Sequence, residues 1–313
     1  MNNILIFSDA HIRERDLTEC QLVSGEIISL CKEHKITRCY NAGDTFDGLT
    51  PDSQSLDLYA NFVEKLNIPI TTIVASSHES TTSQDSILNH YGILSKKINL
   101  VREYKDGNDL FIGHFIIVEA KKGRFGATIS KNDLKNYRYV FLGHQHSPET
   151  IDNVIQTGSV RYISFDESED ESKYVYVIQD YKGDKEKLVK IPLSSPYPMQ
   201  DIYLGGIEPK SLNRAVLAKN SAQLRGVLDG LLALTKVRII FQDFNEYKEF
   251  LPFYKDYEQK FVLLKSKLNF ILTAKEEVKK EAVPFKNILI AWLIKNNINE
   301  EIRKILLEEI NGI

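Results

Sequence analysis

The 313-residue chain carries 42% hydrophobic and 27% charged residues, a balance that excludes a disordered chain or a coiled-coil rod. At about 100 to 200 residues per domain, that length suits two or three domains. A formal charge of −3, from 40 Lys+Arg against 43 Asp+Glu, excludes a basic coat that covers nucleic acid wholesale and leaves room for a local basic groove.

Ile4 to Phe7 is an apolar run ending in Ser8-Asp9, the pattern of a buried strand. Leu17 to His34 places Leu17, Cys20, Val23, Ile27, Leu30 and Cys31 at helical spacing. Arg38 to Ala42 predicts a second strand stopping at Gly43-Asp44. Ser53 to Leu66 predicts a second helix through Leu56, Tyr59, Phe62, Val63 and Leu66, and Ile70 to Ala75 a third strand. Strands alternating with helices imply a parallel sheet whose ligands gather at the carboxyl ends of its strands. Leu110 to Val118, Tyr139 to Leu142, Val154 to Tyr162 and Tyr174 to Ile178 then read as strands of a second sheet. The last is followed by a hairpin-type turn at Tyr181-Lys182-Gly183-Asp184. The expected fold class is α/β, as a four-layer α/β/β/α sandwich.

Pro192 to Pro198 punctuates the chain and sets the expected boundaries: a first domain over 1–195 and a small α/β segment over 196–273. Within that segment, Asn220 to Leu234 reads as helix and Val237 to Phe241 as strand. The tail, 274–313, carries two apolar helical stripes, one through Ile288 and Trp292 and one through Ile302, Leu306 and Ile310. Cys20, Cys31 and Cys39 form no C-x-x-C pair, and the first two are expected to face the core from one helix. The start of the chain lacks the basic and apolar regions of a signal peptide, and no apolar run approaches a membrane span. A cytoplasmic protein with no membrane attachment is expected. Abundant Lys, Asn, Ile and Tyr fit a bacterial or phage genome, the host cytoplasm being the compartment in the second case.

Chemistry concentrates at the predicted strand ends. Five of the seven histidines, His11, His78, His114, His144 and His146, sit at or just after them, beside Gly, Ser or Asp. In an extended chain, residues i and i+2 share a face, so Asp9-Ala10-His11 would pair a carboxylate with an imidazole and His144-Gln145-His146 two imidazoles. Mixed Asp and His ligands suit Mn²⁺, Fe²⁺ or Zn²⁺, and a shared carboxylate allows two ions to sit about 4 Å apart.

The ordered set Asp9-Ala10-His11, Gly43-Asp44-Thr45-Phe46-Asp47, Ser76-Ser77-His78-Glu79, Gly113-His114 and Gly143-His144-Gln145-His146 resembles the five blocks of the calcineurin-like metallophosphoesterases. Beyond it, Gly158-Ser159, Ser164-Phe165-Asp166-Glu167 and Lys173-Tyr174-Val175 resemble the G-S…S-F-D-E…K-Y-V stretch of the SbcD exonucleases, the nuclease subunits that work with the SbcC ATPase on DNA ends. The resemblance covers about the first 195 residues by motif and the remainder by architecture alone.

The resemblance implies that Asp9, His11 and His146 hold one ion, that Asp44 bridges, and that His114 and His144 hold the second. It makes His78 catalytic, placed over the scissile phosphate. The family's remaining ligand is an Asn, and here that position is Ser77, a shorter and poorer donor, which would weaken the second ion. The implied cofactor is a pair of divalent ions, Mn²⁺ first and Mg²⁺ or Fe²⁺ as substitutes. The implied reaction is phosphodiester hydrolysis in DNA, exonucleolytic on duplex ends and endonucleolytic on single strands, in recombination, repair or phage DNA processing. The implied partners are DNA, a second copy in a homodimer, and an SbcC-like ATPase bound by helices of 274–313. Asp47, Asp166 and Glu167 are expected to support the fold rather than bind metal. Two rival readings remain: a phosphodiesterase or nucleotidase for small substrates, and a DNA-end scaffold weakened at Ser77.

Overall fold

Strand β1 (Asn3–Phe7) is buried along its whole length because it occupies the middle of a six-stranded sheet. The computed structural model describes residues 2–74, 97–120, 129–204, 216–241 and 244–268. In that first sheet β2 (Ile36–Asn41), β3 (Ile70–Ile73) and β4 (Ile98–Val101) run parallel to β1. Strands β10 (Lys173–Gln179) and β11 (Lys187–Leu193) complete it as an antiparallel hairpin on the other side of β1.

Alternation along β1 splits its apolar residues between two cores. Leu5 and Phe7 join Cys39, Val175 and Val177 under helices α1 (Leu17–Glu33) and α2 (Ser53–Leu66). Cys20, Val23, Ile27 and Cys31 form the buried stripe of α1, so the two helical cysteines face the core as expected. Helix α2 starts where the Asp52 carboxylate accepts from Ser55 N at 2.8 Å and stops at Asn67 in the left-handed region.

Ile4 and Ile6 point the other way. With Tyr40, Tyr176 and Ile178 they pack against Leu110, Ile112, Phe141 and Ile155 of a second sheet. That sheet contains β5 (Tyr104–Asp106), β6 (Leu110–His114), β7 (Tyr139–Gly143), β8 (Glu149–Ile151) and β9 (Val154–Gln156) in the order β5-β6-β7-β9-β8. Its outer residues Phe111, Val140, Leu142 and Val154 are covered by Ile116, Ile117, Ala120 and Leu134, the last on a capped 3-10 turn. Among the described residues no α-helix covers this face, so helices, sheet and sheet are seen and the expected outer helical layer is not. The strand expected over Val154 to Tyr162 also ends early, at Gln156, before the chain turns at Gly158 with φ 74°.

The expected boundary at residue 195 falls between β11 and β12 (Met199–Leu204), where the chain enters a third sheet. Strands β13 (Val216–Ala218), β12, β14 (Lys236–Phe241) and β15 (Leu263–Leu268) lie parallel in that order. Helices α3 (Ser221–Gly230) and α4 (Phe244–Lys260) supply Leu224, Leu228, Phe250 and Tyr257 to its separate core.

Buried charge ties the third sheet to the first. Glu19 on α1 accepts from Lys236 Nζ at 2.7 Å and from Tyr197 N at 2.8 Å, and lies 3.3 Å from Arg161 Nη1. Two cations thus meet the Glu19 and Asp16 carboxylates out of water, an arrangement in which removing one member leaves an uncompensated buried charge.

Ser76, Ser77, His78, Glu79 and the expected tail helices of 274–313 lie outside the described residues. Among the described residues no helix is long and apolar enough to cross a membrane.

Candidate metal centre

The carboxyl ends of β1, β2, β6 and β7 converge, β6 ending on His114 and the others leading into Asp9, Asp44 and His144. The loops after β1 and β2 zip together through Asp9 N to Gly43 O at 2.9 Å, His11 N to Asp44 O at 3.0 Å and Ile12 N to Thr45 O at 2.9 Å. Asn41 shapes the second loop, accepting from Gly43 N at 3.1 Å and donating to Thr45 Oγ1 at 2.8 Å.

The D-x-H and H-x-H pairs do not use the extended geometry expected of them. Asp9, His11, Asp44 and His144 have φ values of 53°, 43°, 48° and 83°, in the left-handed region that costs non-glycine residues about 1–3 kcal/mol each. The strands have ended by these positions, so direction is set by loop curvature rather than by strand alternation. His144 and His146 consequently diverge to different groups.

Two clusters result. Asp9, His11 and His146 offer ligand atoms within 4.8 Å of one another, and so do Asp44, His114 and His144. Asp44 joins them, its Oδ2 lying 3.2 Å from His114 Nε2 and 3.5 Å from His11 Nε2. Asp9 Oδ1 is 3.9 Å from both His11 Nε2 and His146 Nε2, and both Asp9 oxygens accept from His144 N at 3.1 Å. Asp9, His11 and Asp44 are buried.

Partners on the far side of each ring set the tautomer. His11 Nδ1 is 3.2 Å from Asp47 Oδ1, His146 Nδ1 is 3.3 Å from Glu167 Oε1, and His114 Nδ1 is 2.8 Å from Ala42 O. An acceptor at Nδ1 holds the proton on that nitrogen and directs Nε2 inward. His11 Nε2 and His146 Nε2 then face each other at 3.1 Å. At that distance a proton on one ring is shared with the other, and both nitrogens are directed at the same point.

Electrostatics makes the same demand. Burial opposes a charge on His114, but the hydrogen bond to Asp44 and the charges of Asp9 and Asp44 overcome it and raise its pKa to about 9. His146 is also raised, burial being outweighed by Glu167 and Asp9. Burial and the neighbouring His114 lower His144. In the metal-free protein a proton on His114 offsets the carboxylate charge that a divalent ion would neutralise, so the donor set fits two cations.

Asp47 and Glu167, read from sequence only as support, are the groups that orient His11 and His146. Glu167 is enclosed: it accepts from Ser159 Oγ at 2.8 Å, Ser164 N at 2.8 Å, Ile163 N at 3.0 Å and Lys173 Nζ. Lys173 also donates to His146 O at 3.1 Å and Asp170 at 2.9 Å. Ser159, Ser164, Glu167 and Lys173, one or more from each of the three motifs, are therefore one polar cluster behind His146. Arg161, which sequence reading passed over, donates to Ala10 O at 2.8 Å and to His11 O, fastening the loop that carries His11.

Compared with known proteins, the chain matches no family model and no curated sequence.

Proposed function

We propose that this chain is a two-metal DNA nuclease subunit of the SbcD type, built as a metallophosphoesterase sandwich with a small capping domain. The observation that carries the reading is the pair of Asp/His/His groups joined through Asp44 at one set of strand ends. Two divalent ions held there, Mn²⁺ foremost, would polarise a phosphodiester and lower the pKa of a bound water for in-line attack. Asp9, His11 and His146 would hold one ion, His114 and His144 the other, and Asp44 both. Asp47, Glu167 and Ala42 O keep the imidazole protons at Nδ1. His78 is assigned, by the resemblance, to protonating the leaving oxygen, and Ser77 to a weakened second-ion contact.

A polyanionic substrate is favoured over a small one by the cleft beside the site. Its volume is about 470 Å³, and six cationic residues line it against two acidic ones. Arg13 links it to the centre, donating to Asp47 Oδ2 at 3.0 Å. Arg238 is held by Asp201, whereas Arg15, Lys265 and Lys267 have no acidic partner among the described residues. Such a groove tracks a phosphate backbone and is superfluous for a nucleotide.

The test compares Mn²⁺-dependent release of nucleotides from duplex DNA with hydrolysis of a small aryl phosphodiester. Chelator-sensitive DNA cleavage that is lost in His78→Ala with metal still bound is expected. Hydrolysis of the small ester alone would transfer the reading to a small-substrate phosphodiesterase, and DNA binding without cleavage to a scaffold. The tail, 274–313, is assigned to an SbcC-like ATPase, and a homodimer is part of the same reading. Deleting Pro284 to Ile313 should abolish association with the ATPase and leave metal binding intact.

A further inference from the structure

We infer that residues 159–162 form a positioning strap through which the third sheet sets the spacing of the His11 and His146 rings. It rests on the metal-centre reading for the use of those two rings, and its first test needs no metal.

The strap follows β9 and belongs to no strand or helix, so no ladder fixes its path. Contacts along it do. Ser159 N donates to His146 O at 2.9 Å, and Val160 N donates to Ser8 O at 3.2 Å, where β1 runs out. Arg161 then donates to Ala10 O at 2.8 Å and to His11 O. Ser159 and Arg161, two positions apart on one buried segment, thus grip the backbone of the two loops whose histidine Nε2 atoms lie 3.1 Å apart. A shift of the strap changes that spacing, because each loop is held to it by a carbonyl of the histidine itself.

The far end of the strap is set by the third sheet. Lys236, buried on β14, donates to Tyr162 O at 2.6 Å and to Glu19 Oε2 at 2.7 Å. Tyr162 itself packs with Met199 of β12 and Leu263 of β15. Glu19 Oε2 also lies 3.3 Å from Arg161 Nη1, so one buried oxygen is divided between the ammonium of the third sheet and the guanidinium that holds the His11 loop. Without the ammonium, that uncompensated oxygen draws Arg161 toward α1 and away from Ala10 O and His11 O. Lys236 and Arg161 are therefore positioning residues, and the ring spacing is kept only while the third sheet is seated on the strap.

The test is hydrogen exchange in the metal-free full chain, read at the amides of Asp9, His11, Ile12 and His144, each hydrogen-bonded between loops. Lys236→Met should speed exchange at these amides by about tenfold or more, the loss of one charged hydrogen bond, while α2, which none of these contacts touches, keeps its wild-type rates. Met199→Ala leaves the buried charges in place and should act in the same direction. Ser168→Ala is the control: it cuts another tie to the third sheet, Ser168 Oγ to Asp201 at 2.9 Å, without touching the strap, and should leave the loop amides at wild-type rates. Mn²⁺ affinity, titrated calorimetrically in the same variants, should fall where exchange rises. Wild-type loop rates in Lys236→Met or in Met199→Ala, a uniform rise that includes α2, or an equal rise in Ser168→Ala would each overturn the inference. No Mn²⁺ binding by the wild type would overturn the metal-centre reading and leave the exchange result standing.

Discussion

Gly143→Ala isolates the close approach of strands on which the centre depends. A Cβ at Gly143 would lie 2.2 Å from Ser8 Oγ, 2.5 Å from Ala42 O and 2.7 Å from His114 Nδ1. Ordinary contacts begin near 3.4 Å, so the backbone oxygen must retreat by about 0.9 Å, and Ala42 is pinned by its own N–H to Phe7 O at 2.8 Å. Overpacking of this kind costs about 1–3 kcal/mol. Displacing Ala42 O also removes the acceptor of His114 Nδ1, a further loss of about 1 kcal/mol. At about 2–4 °C per kcal/mol for a chain of this size, the melting temperature should fall by roughly 4–16 °C. Metal binding at the Asp44, His114 and His144 position should weaken with it. The control is Gly25→Ala, inside α1, where a Cβ meets nothing within 4 Å and helix propensity should raise stability by about 0.5–1 kcal/mol. Thermal unfolding with and without Mn²⁺ reads both. A Gly143→Ala variant that melts with the wild type and binds both ions normally would refute the packing argument.

Three further outcomes follow from particular contacts. Burial alone would raise Glu167, but the hydrogen bond from His146 and the Lys173 charge bring its pKa down to about 2. A carboxylate whose folded pKa lies below its unfolded value stabilises above the latter, so its contribution should be complete above about pH 4.5 and fade as pH falls toward 2. In urea unfolding of the metal-free protein, the stability gap between wild type and Glu167→Gln should narrow over that interval, and a gap independent of pH would contradict the assignment. Reversing Lys265 and Lys267 to Glu should weaken DNA binding and flatten its salt dependence by about 0.7–0.9 in log–log slope per lost phosphate contact, with Mn²⁺ affinity unchanged; an unaltered slope would remove these residues from the DNA path. Cys20, Cys31 and Cys39 are all buried, and burial raises the thiol pKa of Cys20 and Cys39. Thiol reagents should therefore label none of them quickly until denaturant is added.

Local signals carried most of the first domain into view. Helix α2 was legible to the residue because its apolar stripe, Leu56, Tyr59, Phe62, Val63 and Leu66, lies within one segment. The four loops that bring the acids and histidines together were legible because their motifs are short and ordered. What escaped depends on contacts distant in sequence. The orienting role of Glu167 arises from His146 and Lys173, and the buried place of Arg161 from Glu19 and Asp16, which close around it. Strand β15, Leu263–Leu268, is hidden by its lysines, and α4 by the proline at 252 inside it. The pairing of Asp9 with His11 was read from strand alternation, yet it is produced by positive φ, a feature a motif marks but does not explain.

The most direct measurement is anomalous diffraction from a crystal of the full chain soaked in Mn²⁺. The account predicts two peaks about 3.5–4 Å apart, one among Asp9, His11 and His146 and one among Asp44, His114 and His144, with Asp44 between them. No peak at either cluster, or a single ion held by residues outside both, would contradict the two-metal centre and the nuclease reading built on it.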